Sequence, residues 1–181
     1  MVYIEDGLGT GRKAAVNDEN RLLSNCVTES IEHHTNSHEE NAYNYQMSEI
    51  PDASGATIVY IKNENDTNMI LEGMNIMNQE TQMYELSLGD TGTPAGTITV
   101  TPANVNAGAG QVADGTFYTG SNMTGLTQGT VIDRVWAVSS SGTQYLNFDM
   151  DVIIPKNQTF AIRTGITGSK TNITIPLYYH E

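Results

Sequence analysis

The stretch ATIVYIKNENDTNMILEGMNIMNQETQMYELSLG, residues 56–89, decides the fold class. Residues 56–63 are rich in Ile, Val and Tyr and end at Asn-rich turn residues, which is typical of a β-strand. Residues 68–78 alternate less cleanly and predict a strand with a bulge near Gly73. Residues 82–89 alternate again between polar and apolar side chains. Short strands that end at turn residues in this rhythm indicate an antiparallel β architecture.

The same rhythm continues towards the C-terminus. Each further apolar run ends at Gly, Asn, Asp or Pro, and we predict strands at 96–105, 131–139, 145–155, 158–166 and 172–180. Residues 106–129 are Gly-rich and predict a long loop with one short strand at 115–119. Alternation places four sets of side chains each on one strand face: Tyr84, Leu86 and Leu88; Ile98 and Val100; Leu146, Phe148, Met150 and Val152; and Ile173, Ile175 and Leu177.

Composition supports the same fold class. The chain of 181 residues contains 22 Thr, 17 Asn and 17 Gly, which favour strands and turns, and no helical periodicity persists beyond two turns. We predict an all-β protein: an antiparallel β-sandwich, jelly-roll-like, with a small barrel as the alternative. The sandwich domain is expected at 47–181, preceded by an extended N-terminal arm at 1–46. Gly7, Gly9 and Gly11 favour an extended path there, and the following residues are too polar to form a core.

The charge of the chain excludes two classes of partner. With 8 Lys plus Arg against 21 Asp plus Glu, the net charge is -13. A nucleic-acid binder or a protein held on an anionic membrane needs basic groups that this chain lacks. The acidity lies in residues 1–90, which hold 16 acidic and 4 basic groups, whereas residues 91–181 hold 5 and 4. Met1 is followed by no basic or apolar leader pattern, so we expect synthesis in a cytoplasm without a signal peptide.

Residue types that carry chemistry occur in a few places, and each has a simpler explanation. The segment 29–40 contains His33, His34 and His38 among four glutamates, but Thr35 follows His34 where a zinc-protease helix would have Glu. We interpret it as a solvated or interface segment that titrates near neutral pH.

Asp149 and Asp151, two apart on a strand, indicate solubilising edge charges more than a glycosidase pair. Cys26 is the only cysteine, so no intrachain disulfide forms. Trp136 is expected in the core or in a subunit interface. We predict no cofactor and no metal.

The N-terminal segment carries a series of short motifs in a fixed order. It opens with Asp-Gly-x-Gly-Thr-Gly, continues with Lys-Ala-Ala-Val, Asn-Arg-Leu, Val-Thr-Glu-Ser and Ala-Tyr-Asn, and leads into an apolar strand ending in Lys-Asn. This series resembles the opening of a family of tailed-bacteriophage virion structural proteins. The matching segments are Asp6 to Gly11, Lys13 to Val16, Asn20 to Leu22, Val27 to Ser30, Ala42 to Asn44, VYIKN at 59–63 and, later, IIPKNQTFAI at 153–162.

The resemblance implies a structural component of a phage virion without enzymatic activity. We expect a capsid decoration, or cement, protein whose arm binds the major capsid protein or other virion structural proteins. A homo-oligomer is expected, with a trimer favoured, and the chain would be located in the virion. Glycine allows close backbone approach, and Arg12, Lys13 and Arg21 can meet acidic patches on a shell protein. The predicted docking residues are Asp6, Gly7, Gly9, Gly11, Arg12, Lys13, Asn20, Arg21 and Leu22.

Two other functions are consistent with the sequence. The first is a tail, baseplate or head-fibre component that binds a receptor or glycan. It is favoured by the Gly-rich segment 106–129, where Phe117 and Tyr118 can form a binding tip. The second is an all-β hydrolase acting on carbohydrate, in which Asp149 and Asp151 would supply the carboxylates.

Overall fold

The chain divides into an N-terminal unit, Met1–Ser30, and a main unit, Ile31–Glu181. In the N-terminal unit, strands β1 (Val2–Glu5), β2 (Lys13–Val16) and β3 (Leu22–Leu23) form an antiparallel sheet in the order β1-β2-β3. The computed structural model describes residues 2–5, 13–16, 22–23, 40–138, 144–165 and 168–180.

The main unit consists of β-strands and the turns between them. No helix in the described residues is long and apolar enough to cross a membrane. The strands are β4 (Ala42–Glu49), β5 (Thr57–Asn63), β6 (Asn68–Asn78), β7 (Gln82–Leu88), β8 (Thr91–Ala95), β9 (Ile98–Thr99), β10 (Ala103–Asn104), β11 (Gly115–Thr127), β12 (Thr130–Ala137), β13 (Gln144–Ile154), β14 (Thr159–Thr164) and β15 (Thr171–His180).

These strands form two antiparallel sheets. One has the order β10-β4-β15-β6-β13, and the other has the order β12-β7-β14-β5-β11-β8, with β9 paired to β11. Without β8 to β11, the two sheets reduce to β4-β15-β6-β13 and β5-β14-β7-β12. In chain order, successive strands alternate between the two sheets, except that β7 and β12 lie in the same sheet. This arrangement is that of an eight-stranded jelly roll. The predicted all-β antiparallel sandwich is therefore confirmed.

Strands β8 to β11 form an insertion between β7 and β12, and this insertion covers one end of each sheet. Its strand β10 pairs with β4, and its strand β11 pairs with β5. In the order of each sheet, β12 and β13 are the last strands at the other end. The jelly roll is thus extended on one side, and its other side ends in two edge strands.

The core lies between the two sheets and follows the predicted alternation. Side chains from β7 and β14 face side chains from β6 and β15, and each fully buried aliphatic or aromatic side chain contributes roughly 1.5–3 kcal/mol. The predicted faces of β7 and β15 are buried, and that of β13 packs against the core from its edge position. Among the fully buried side chains are Leu71, Ile76, Tyr84, Leu86, Phe160, Ile162 and Ile175.

The predicted bulge near Gly73 is confirmed. From Leu71 to Asn75, β6 contains one residue more than the facing segment of β15. The buried side changes phase at this point, because Leu71 and Met74 are both buried although they are three residues apart. A Cβ on Gly73 would lie 3.3 Å from the Phe148 carbonyl oxygen, so the bulge is also a place of close strand approach.

Two predicted segments differ from the structure. Residues 96–105 were expected to be one strand, but they contain only β9 and β10, and Ile98 is 57% exposed. They belong to the insertion, so their alternation does not serve the central core. Residues 106–129 were expected to be mainly loop, but β11 runs from Gly115 to Thr127. Its glycines accommodate register shifts, which let one strand pair first with β5 and then with β8.

The proposed boundary between the arm and the sandwich falls inside a strand. Strand β4 begins at Ala42, pairs with β15 along its length, and buries Tyr43 and Tyr45. Residues 42–46, which the sequence assigns to the arm, are therefore part of the sandwich. The tyrosines of this strand supply core volume that the arm's polar composition did not suggest.

Buried tyrosines predict a loss of stability at alkaline pH. Burial raises the pKa of Tyr84 to about 12 and also raises the pKa of Tyr45 and Tyr179. Below about pH 10, the pKa of tyrosine in the unfolded chain, the neutral rings make their full contribution to stability. This contribution is lost as the pH rises from there through the pKa of the folded state. For Tyr84 alone the loss between pH 10 and 12 is roughly 3 kcal/mol.

Urea unfolding at increasing pH, followed by circular dichroism and by tyrosinate absorbance, checks this expectation. Stability should fall above about pH 10, together with a cooperative rise in tyrosinate. Tyr84→Phe is the matched control, because it removes one of the groups whose ionisation opposes folding and should reduce the slope. A free energy of unfolding that stays constant across this range would contradict the prediction.

Candidate functional site

The predicted docking residues lie mostly outside the described residues. The seven that the structure does not describe are Asp6, Gly7, Gly9, Gly11, Arg12, Asn20 and Arg21. Of the remaining two, Lys13 begins β2 and pairs with Glu5, while Leu22 begins β3 and pairs with Val16. Their role in docking stays a prediction.

The other N-terminal candidates are similarly placed. Cys26 and the histidines of segment 29–40 lie outside the described residues. Glu40, at the end of that segment, has a left-handed backbone with φ of 58°, and its carbonyl oxygen accepts a hydrogen bond of 2.6 Å from the Asn104 side chain. This contact attaches the insertion to the chain just before β4.

Asp149 and Asp151 lie on β13, the last strand of its sheet, and both are exposed. The register of β13 against β6 shifts between Asp149 and Val152. Both carboxylates therefore lie on one bulged edge strand. This position matches the interpretation as edge charges that oppose unwanted strand pairing.

Trp136 is not a core residue. It lies on β12 with 57% of its surface exposed, whereas Val135 and Ala137 on either side of it are buried. Because side chains alternate between the two faces of a strand, the two smaller neighbours point inward and Trp136 points outward. Tyr178 and Tyr179, the aromatic pair near the C-terminus, are buried in the other sheet. The Tyr179 hydroxyl donates to the Asp114 carbonyl oxygen at 2.9 Å. These three aromatic residues therefore form no common surface.

The insertion forms a groove beside β11. Phe117 points into the core, where its ring centre lies 6.5 Å from that of Tyr45. Tyr118, on the opposite face of the strand, stacks on Tyr60 with ring centres 6.3 Å apart. The groove has a volume of about 230 Å³, and its walls include Thr99, Val100, Thr101, Val112, Thr116 and Tyr118.

The lining of this groove determines which chemistry it can support. Its side chains are hydroxyl, aliphatic and aromatic, and none carries a charge at neutral pH. Hydroxyls and an aromatic side chain can hold a small neutral polar ligand by hydrogen bonds and stacking. General acid–base catalysis requires a titratable group near neutral pH, and this lining supplies none. The volume lies below the roughly 300–1,000 Å³ of most ligand sites.

A second depression lies on the five-stranded sheet. It has a volume of about 270 Å³ and is lined by β4 and β15 together with Glu72 and Val105. Pro176 and Asn44 are paired across these strands in its floor. Its lining combines amide, carboxylate and apolar groups without a basic side chain, so an anionic ligand would be disfavoured there.

The most buried charges of the main unit lie where the insertion joins the jelly roll. Asp90 is 3% exposed and Arg163 is 9% exposed, and the Arg163 Nη2 group pairs with the Asp90 Oδ2 atom. Ser87 Oγ donates to Asp90 Oδ1 at 2.7 Å and accepts from Arg163 Nη1 at 2.8 Å. The Gly129 backbone N–H donates to Asp90 Oδ1 at 3.1 Å, and Thr159 Oγ1 donates to the Asp90 carbonyl at 2.9 Å.

This network connects both ends of the insertion. Asp90 immediately precedes β8, and Gly129 lies between β11 and β12. The carboxylate of Asp90 therefore holds the start and the end of the insertion against Arg163 of β14. Because the carboxylate accepts from Arg163, Ser87 and Gly129, its bonding indicates a structural role.

Sequence reasoning missed this pair. Asp90 follows a Leu-Gly turn and looks like an ordinary turn residue, and Arg163 was counted within a predicted strand. The available signal was an arginine flanked by Phe160, Ala161 and Ile162, because a charged residue in an apolar strand requires a partner when it is buried.

No metal centre is formed by the described residues, since no group of three or more His, Cys, Asp or Glu side chains is placed to bind one ion. The features with functional potential are thus the neutral groove, the clamp of Asp90 and Arg163, and the exposed edge strand that carries Trp136. Comparisons with protein-family models, curated proteins and solved structures found no match for this chain.

Proposed function

We propose that the chain is a non-enzymatic structural protein of a phage virion, a capsid decoration protein that binds the outer head shell through its N-terminal segment. The observation that carries this proposal is the ordered series of motifs from Asp6 to Asn44, placed directly before a complete jelly roll. Jelly rolls are a common architecture of viral capsid domains, which supports the proposal. The major capsid protein or another virion structural protein would be the partner, and a homo-oligomer, with a trimer favoured, would occupy the symmetry sites of the shell.

The distribution of charge supports attachment through the N-terminal segment. Arg12, Lys13 and Arg21 are three of the four cations in residues 1–90, where acidic groups predominate. An acidic shell surface would attract this cluster and repel the rest of the acidic half. The arm would thereby be oriented towards the shell before close contacts form.

Charge reversal in the full-length chain tests the proposal. The variant Arg12→Glu, Lys13→Glu, Arg21→Glu should fold with unchanged β-type circular dichroism but bind particles poorly. The readout is the number of copies per purified particle, where we expect hundreds for the unchanged protein and few for the variant.

The matched control reverses three lysines of the main unit, the partly exposed Lys62 and the exposed Lys156 and Lys170, and so changes the net charge equally. Two of them take part in surface ion pairs, with Glu64 and Asp66, and surface ion pairs contribute little to stability. The control should retain its copy number. Equal losses in both variants would show that net charge, not the arm, controls binding.

The groove beside β11 favours a second candidate function. Its hydroxyl groups and Tyr118 are suited to a neutral sugar, as required of a tail, baseplate or head-fibre component that binds a glycan. The same copy-number measurement separates the two candidates. A dozen copies or fewer per particle would favour the tail or fibre component and would count against a decoration protein.

A further inference from the structure

Strand β12 is an open edge of its sheet. In the seven-stranded sheet β12 pairs only with β7, and no other strand in the described residues pairs with its outer side. Edge strands normally carry charges that prevent pairing with another chain. The edge strand of the other sheet, β13, follows this rule with Asp149 and Asp151 exposed.

Strand β12 also carries exposed charges, at Asp133 and Arg134, but it combines them with exposed apolar side chains. Three apolar side chains in and just after the strand are exposed: Ile132 at 41%, Trp136 at 57% and Val138 at 56%. A large exposed aromatic on an unpaired edge is typical of an interaction surface. Arg134 lies between Ile132 and Trp136 and is also exposed.

The segment of β12 that can pair with a partner is regular. From Asp133 to Ala137 every residue is in unbroken register with β7, and the register shift lies before Asp133. Val135 is the centre of this segment and points inward, while Arg134 and Trp136 flank it on the outer face. The Nε atom of Arg134 donates to Glu85 Oε2 at 2.7 Å, which holds the guanidinium group on that face.

We propose that β12 is a self-association site, at which two copies of this chain pair edge to edge in antiparallel orientation about a two-fold axis at Val135. In this register Arg134 of each copy lies opposite Trp136 of the other, and residues opposite each other share a face of the sheet. Two cation–π contacts result, one on each side of the axis. The pairing joins two seven-stranded sheets into one and satisfies the outer backbone groups of both edges.

Charge disfavours two of the neighbouring registers. An axis at Arg134 would place two guanidinium groups opposite each other, and an axis at Asp133 would place two carboxylates opposite each other. Like charges directly opposite destabilise a strand pair. A second copy of the chain is therefore a better match for this edge than an unrelated partner, because a single strand supplies both the cation and the aromatic ring.

The proposal goes beyond the proposed virion function and does not depend on it. A two-fold pair predicts an even number of chains, whereas the trimer of the decoration protein would need a separate three-fold contact. Both can be measured on the purified full-length chain without any phage particle. Failure here would leave the copy-number experiment unaffected.

Sedimentation of the full-length chain tests the association. We expect a dimer or hexamer for the unchanged protein, and half that number of chains for Trp136→Lys, because a lysine would face Arg134 of the other copy. The matched control is Ile153→Lys, at an equally exposed position on edge strand β13, which should leave the association unchanged. A monomer or trimer for the unchanged protein, or a Trp136→Lys variant that associates as before, would overturn the proposal.

Cysteine cross-linking tests the register directly. In a Cys26→Ser background, Arg134→Cys protein mixed with Trp136→Cys protein should form a disulfide-linked pair under mild oxidation, because the two positions are opposite across the axis at Val135. Neither protein alone should cross-link efficiently. Efficient linkage of either protein alone, without a disulfide that joins an Arg134→Cys chain to a Trp136→Cys chain in the mixture, would place the axis elsewhere and contradict the proposed register.

Discussion

Asp90→Ala should lower the free energy of unfolding by about 3–5 kcal/mol, which is the usual cost of leaving one charge of a buried ion pair without its partner. Arg163 is 9% exposed and donates both to Asp90 and to Ser87, so its guanidinium group would keep only a hydroxyl acceptor. The Gly129 backbone N–H would lose its acceptor as well. Urea unfolding followed by circular dichroism measures the change.

Two control variants separate the buried pair from surface charge in general. Asp66→Ala breaks the exposed pair with Lys156 and should leave stability nearly unchanged, because solvent and salt screen exposed ion pairs. In Asp90→Asn, Arg163→Met, the charges are removed together and an amide oxygen remains to accept from Ser87 and Gly129. This double variant should recover much of the stability that Asp90→Ala loses. If Asp90→Ala lowers the free energy of unfolding by no more than Asp66→Ala does, the stabilising role of the Asp90–Arg163 pair is contradicted.

Gly129→Ala should also destabilise the protein strongly, by about 3 kcal/mol. A Cβ at this position would lie 2.0 Å from the Leu88 carbonyl oxygen and 2.8 Å from the Asp90 backbone nitrogen. Both are backbone atoms, so the clash can be relieved only by moving the strand end. Any such movement also separates the Gly129 N–H from the Asp90 carboxylate, and urea unfolding again measures the loss.

Gly110→Ala is the matched control for this change. It lies in the same insertion, and a Cβ there would meet no atom within 4 Å. Its effect should lie within about 0.5 kcal/mol, as for most surface substitutions. If Gly129→Ala and Gly110→Ala lower the free energy of unfolding equally, close packing at Gly129 does not stabilise the base of the insertion.

Asp90→Ala and Gly129→Ala both act at the junction where the two ends of the insertion meet. The insertion carries the groove and extends one end of both sheets, and its two ends meet at Asp90 and Gly129. Loosening that junction should free β8 and β11 from the jelly roll before the core unfolds. Amide hydrogen exchange would then rise first in the insertion.

Alternation predicted most of the strands from the sequence. The strands 68–78 and 145–155 were located to within a residue, as was the bulge at Gly73. Each of these segments has one face towards the central core, so the periodicity of its side chains records its environment. The segment 96–105 has a similar periodicity but lies in the insertion, and the prediction of one strand there was wrong.

Side-chain roles were predicted less well than strands. Trp136 was expected in the core or in a subunit interface; β12 is an edge strand and the residue is exposed, so the core position is wrong and the interface position stays a prediction. Asp90 and Arg163 are 73 residues apart, and no local pattern indicates that they meet. The docking residues of the N-terminal segment, with Lys13 and Leu22 placed only in strands β2 and β3, stay a prediction from motif resemblance.

The sequence by itself determined the fold class, because alternation, turn residues and bulges are local properties that each strand carries in its own residues. It also determined the charge balance, from which we expect no polyanionic partner. Only the tertiary structure decided which strands are edges, which charges are buried together, and where the insertion closes. These depend on pairings between residues far apart in the chain, and a strand in the centre and a strand at the edge can have the same local pattern.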